Sequence, residues 1–81
     1  MKLAVRLFAR ARELAGTDLV QLDVAGSINV AELRRVLSAR CPALSAIAPS
    51  LLVAVGAQYA DDSMLVEPAD EVACFPPVSG G

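Results

Sequence analysis

Alternation opens the chain. Over residues 2–8, Leu3, Val5 and Leu7 fall on one side of an extended segment and Lys2, Ala4, Arg6 and Phe8 on the other, which predicts a strand with one face in the core. Residues 10–16 (RARELAG) read as a short helical turn closed by Gly16, which can take the left-handed conformation that ends helices. Alternation returns over residues 17–24, where Val20, Leu22 and Val24 oppose the mostly polar set Leu19, Gln21 and Asp23; the short connection predicts an antiparallel pair. The period then changes. Val30, Leu33 and Leu37 recur on one helical face with Val36 at its edge, leaving Arg34, Arg35 and Ser38 to face out. Asn29 suits the N-cap, Glu32 is spaced to complete a capping box, Ile28 to staple onto Leu33, and Pro42 stops the helix.

Past a Pro/Ser/Ala connection, residues 51–55 (LLVAV) form an apolar run with Val53 and Val55 inward and Leu52 and Ala54 outward. Residues 56–64 predict a turn with a short strand, Pro68 fixes a bend, and residues 71–75 form a last strand with Val72 and Cys74 inward and Ala73 and Phe75 outward. One helix cannot cover both faces of the resulting sheet. The expected class is α+β: a β-grasp (ubiquitin-like) fold, a mixed curved sheet of four to five strands over one main helix. Residues 1–75 make the domain and 76–81 an extended C-terminal tail. That topology makes the first and last strands neighbours, so Phe8 and Phe75 share the open face beside the start of the tail, an aromatic anchor for a partner.

Composition adds one tension. Apolar residues make up 56% of the 81, fifteen of them alanine, and only 20% are charged. So small a domain buries only about 60–65% of the surface its unfolded chain exposes, so part of this apolar excess is expected on the surface, covered by a partner. A net charge of −2 gives no electrostatic case for nucleic acid. Lys2, Arg6, Arg10 and Arg12 gather early and Asp61, Asp62, Glu67, Asp70 and Glu71 late, which reads as two solvated faces. Arg6, Arg10, Arg12 and Glu13 interrupt any secretory apolar core, and prolines, serines and Gly56 punctuate the uncharged residues 41–60, so a cytoplasmic protein without a membrane span is expected. Cys41 and Cys74 lack metal or redox spacing and read as small buried hydrophobes.

A search for catalytic side chains finds none. The chain has no histidine, no glycine-rich phosphate loop and no metal-ligand cluster, and the adjacent carboxylates Asp61-Asp62 and Asp70-Glu71 read as solvated turns. What can react is the end itself. Pro76 and Pro77 stop the last strand and hold the chain extended, and Gly80 and Gly81 carry no Cβ, so they can thread a narrow channel. A partner that adenylates the Gly81 carboxylate with ATP would open it to a sulfur donor or an amine.

Two motifs, VRLFARARELAG over residues 5–16 and DEVACFPPVSGG over residues 70–81, carry a family resemblance. Nearly end to end, the chain resembles the MoaD-type small subunits of molybdopterin synthase, which are ubiquitin-like sulfur carriers. The resemblance implies that Gly81 is adenylated by a ubiquitin-activating-like adenylyltransferase using ATP and is converted by a sulfur donor protein to a thiocarboxylate. The tail Pro76-Pro77-Val78-Ser79-Gly80-Gly81 then enters the large synthase subunit, where sulfur passes to cyclic pyranopterin monophosphate. It further implies a two-plus-two heterotetramer, a docking face at Phe8, Phe75 and Tyr59, and no cofactor bound by this chain. Cys74, Gly56 and Ala69 depart from the usual phenylalanine, asparagine and glycine of that family. A ubiquitin-like protein modifier, a thiamin-type sulfur carrier and a purely structural module are the alternatives.

Overall fold

The computed structural model describes residues 1–77. Its chain runs β1 (Lys2–Leu7), α1 (Ala9–Ala15), β2 (Leu19–Asp23), β3 (Ile28–Asn29), α2 (Val30–Arg40), two 3-10 turns (Pro42–Leu44 and Ala48–Ser50), β4 (Leu52–Val55), β5 (Gln58–Tyr59), β6 (Leu65–Val66) and β7 (Val72–Phe75). The main sheet has five strands in the order β2-β1-β7-β4-β5. β1 pairs antiparallel with β2 and parallel with β7, so the sheet is mixed, as a β-grasp requires. One face packs on α2; the other is open.

The strand phases hold. Leu3, Val5 and Leu7 of β1, Val20 and Leu22 of β2, Val53 of β4 and Val72 and Cys74 of β7 are buried against Val30, Leu33 and Leu37 of α2. Ala4, Arg6 and Leu52 stay on the open face, with Ala54, Ala73 and Phe75 only half-buried there. A slip of one residue in any strand would exchange these two sets, so burial of the apolar set fixes the register.

Local signals account for the helix ends. The Asn29 side chain accepts a 2.8 Å hydrogen bond from the Glu32 amide, satisfying one of the free donors of the first turn of α2. The return half of the expected capping box does not form, because the Glu32 carboxylate pairs with Arg35 at 3.0 Å. Gly16 ends α1 at φ 74°, with its amide donating to the Arg12 carbonyl.

Four features depart from the sequence reading. A second sheet, β3 with β6, has no signal in the sequence pattern, since its runs of two residues are too short to alternate, yet Val66 is fully buried. The connection after α2 is no plain loop: Leu44, Ala48 and Leu51 enter the core through the 3-10 turns. Arg34 does not face solvent as helical phase suggests. Its Nη2 and Nε donate to the Leu51 carbonyl at 3.0 and 3.3 Å while Nη1 pairs with Asp62, so the guanidinium ties α2 to the segments on either side of β4 and β5. Cys41, expected inside, is half-buried at the end of α2, and only Cys74 is fully enclosed.

Candidate functional site

Three elements bring together every aromatic side chain of the chain. β1 ends at Leu7, and the Phe8 amide extends its parallel ladder by donating to the Cys74 carbonyl at 3.2 Å. Phe8 is extended, and Ala9 then turns the chain at φ 53°, the single non-glycine among the described residues with φ in the left-handed region. Phe75 closes β7 opposite Leu52 of β4, and Tyr59 on β5 lies opposite Ala54. Phe8 and Phe75 meet with ring centroids 5.3 Å apart and planes at 34°, and Tyr59 meets Phe75 edge-on at 6.0 Å and 73°. These separations lie in the range where ring quadrupoles attract.

The cluster is largely uncovered. Tyr59 is 71% exposed, Phe8 43% and Leu52 40%, forming one apolar patch around half-buried Phe75. Domains of this size bury such rings when they can, so a continuous exposed group of this kind marks a contact surface. Pro76 and Pro77 follow directly, outside any strand. The predicted tail residues Val78, Ser79, Gly80 and Gly81 lie outside the described residues.

Around the patch most side chains are small or apolar, with Arg6 the charged member of the adjoining row. Across the strands runs one row, Leu19-Arg6-Ala73-Ala54-Tyr59, and the next row toward the tail carries Phe75 and Leu52, with Phe8 following on from β1. A groove of about 410 Å³ lies beside it, lined by Ala4, Arg6, Leu19, Gly56, Asp70, Glu71, Val72 and Ala73.

The remaining polar groups serve structure. Asp61 accepts from the Ser63 hydroxyl and amide, which holds its carboxyl below the ordinary value of 3.8. Asp62 pairs with Arg34, and Asp70 accepts from the Glu67 amide. Asp61 and Asp70 are therefore turn formers, and Asp62 is an ion-pair partner. Burial pushes the Cys74 thiol up to about 12, so it stays protonated and unreactive at neutral pH. Among the described residues no group of three or more His, Cys, Asp or Glu could hold a metal ion, and no helix is long and apolar enough to cross a membrane.

The departures at residues 56 and 69 have simple explanations. Gly56 turns the chain between β4 and β5 at φ 64°, a conformation that asparagine tolerates better than most residues and glycine adopts freely. Ala69 is not left-handed, so its turn does not need a glycine.

Comparison with known proteins gives a consistent picture. The ThiS family matches residues 5–81. The molybdopterin synthase sulfur carrier subunit of Arabidopsis thaliana is 33% identical over 81 residues, covering 100% of this chain and 84% of its own length. That of Drosophila erecta is 38% identical over 80 residues, covering 95% and 88%. Among solved structures, SAMP1 from Haloferax volcanii superposes with a TM-score of 0.84 at 31% identity, covering 100% of both chains.

Proposed function

The chain belongs to the ThiS family, and on that premise we propose that it is the sulfur-carrier subunit of a cytoplasmic molybdopterin synthase. The Gly81 carboxylate attacks the α-phosphate of ATP in an adenylyltransferase that resembles ubiquitin-activating enzymes, and pyrophosphate leaves. A sulfide-equivalent donor then displaces AMP to give the thiocarboxylate. The charged tail enters the large subunit, two small subunits with two large, and gives its sulfur to cyclic pyranopterin monophosphate. This chain supplies the reactive terminus and the docking face; the partner supplies the pocket.

The observation that carries the reading is the exposed Phe8-Phe75-Tyr59 cluster at the end of the strand that launches the tail. A partner gripping these rings holds the start of a six-residue tail whose full extension reaches about 20 Å, enough to enter an enclosed site. Relatives with the carrier name, matched over 84% and 88% of their own length, support the same reading.

The test is chemical. Incubation with ATP, a cognate activating enzyme and a sulfur donor yields a C-terminal thiocarboxylate, seen by intact mass and by thiol-specific alkylation localised to Gly81. The alkylation is needed because methionine oxidation shifts the mass almost equally. A product that survives deletion of Gly81 would overturn the reading. Likeness to SAMP1, which is a small archaeal modifier protein, favours a second reading in which Gly81 is joined to lysines of other proteins. Conjugates to lysine formed in the same incubation would select it.

A further inference from the structure

Arg6 is out of place on the open face. Its cross-strand neighbours are Leu19 on β2 and Ala73 on β7, and its neighbours two residues away on the same side are Ala4 and Phe8. Among the described residues no carboxylate lies within 4.0 Å of its guanidinium: the ion pairs are Lys2–Asp23, Arg10–Glu13, Arg34–Asp62 and Arg35–Glu32. Asp70 and Glu71 line the same groove, Glu71 on the same side of β7 as Ala73, yet neither carboxylate comes within 4.0 Å of the guanidinium. Two further charged residues of this face, Lys2 and Asp23, neutralise each other at 2.7 Å toward the opposite end of the sheet. Among the described residues Arg6 is thus without an ion pair one row from the rings, with its Cα about 7 Å from that of Phe8.

This has a consequence for anything that docks there. A partner covering the aromatic patch also covers the row behind it and strips water from the guanidinium. An arginine desolvated without a counter-charge opposes binding strongly, whereas one met by a carboxylate gains a two-pronged, charge-assisted contact. We infer that Arg6 is the specificity-determining ion-pair contact of the docking face, and that the surface receiving it on the large subunit carries an Asp or Glu beside the pocket for the rings. The inference rests on the proposed carrier role. It adds that recognition is by charge at a fixed spacing from the apolar anchor, and that a purely apolar partner surface does not suit this face.

Binding of the full-length chain to its cognate large subunit, measured by calorimetry at two ionic strengths, decides the matter. Arg6→Leu keeps an apolar stem without charge and is expected to weaken binding about 10-fold, and Arg6→Glu about 100-fold or more, as expected for the loss and reversal of a desolvated pair. Wild-type affinity falls with added salt, and this dependence shrinks in Arg6→Leu. Because Arg6 is exposed, both variants keep the wild-type circular dichroism spectrum and melting point. Arg6→Leu binding as tightly as wild type, or more tightly, would overturn the inference, since it means the partner leaves the charge unmet. A wild-type chain that does not bind at all would overturn the carrier reading, and the inference with it.

Discussion

Two thiols with the same intrinsic chemistry are separated by where their backbones run. Cys74 sits at an inward position of the central strand β7, fully enclosed, and burial raises its pKa to about 12; Cys41 is half-buried where α2 ends. Alkylation of the native protein at mildly alkaline pH therefore modifies Cys41 first, with Cys74 reacting only as fast as the chain unfolds, as followed by peptide mass spectrometry. Equal rates would place Cys74 outside the core. The sign of the pH effect follows. Above the ordinary thiol value of 9.0 the unfolded chain releases this proton while the native chain holds it to about 12, so stability falls across that window. Cys74→Ala removes that part of the fall, although it also lowers stability at every pH by leaving a cavity. The inward phase of Cys74 was readable from the alternation Val72, Cys74 against Ala73, Phe75. The half-exposure of Cys41 was not, because at a helix end followed by proline no period extends far enough to assign a side.

Elements with several turns or alternations were legible, and short ones were not. Eleven residues of α2 carry a full apolar stripe and a capping residue, whereas β3, β5 and β6 have two residues each and are defined only by what they pair with. Arg34 shows the limit of helical phase: a long side chain reaches a carbonyl that arrives from a remote segment, and periodicity holds no information about that carbonyl. The capping box divides along the same line. Asn29 acts on its own first turn, so its role could be read locally, while Glu32 had a competing partner one turn on in Arg35. Asn29→Ala is accordingly expected to cost about 1 kcal/mol in urea unfolding, with Asn29→Asp retaining most of that stability. Glu32→Ala loses only an exposed pair three residues apart, about 0.2–0.5 kcal/mol. If the two alanine variants cost the same, the Asn29 cap is not what starts the helix.

At the scale of the molecule, strand phase and topology together determine which residues meet. Phe8, Tyr59 and Phe75 are far apart in sequence, and they converge because β1 lies parallel to β7 while β4 returns antiparallel between β7 and β5. The Phe8-Phe75 meeting could be argued from alternation once those two strands were neighbours. Tyr59 required the register of β5, which two residues cannot announce. The resulting cluster lies outside the helix-covered core, so its removal separates folding from recognition. Phe75→Ala deletes the ring that contacts both others, at 5.3 and 6.0 Å. Because Phe75 is only half-buried, the stability cost is expected near about 1–2 kcal/mol, below the 3–5 kcal/mol typical of a fully buried phenylalanine. Its central place in an apolar patch makes the effect on docking larger: affinity for the large subunit is expected to fall by about 10-fold or more. Chemical denaturation and calorimetry on the same preparation measure both quantities. A chain that unfolds outright would show that Phe75 belongs to the core, and one that loses stability yet docks normally would show that the rings pack for the fold alone. Loss of docking with the fold retained is the outcome that a recognition surface built on the open side of the sheet requires.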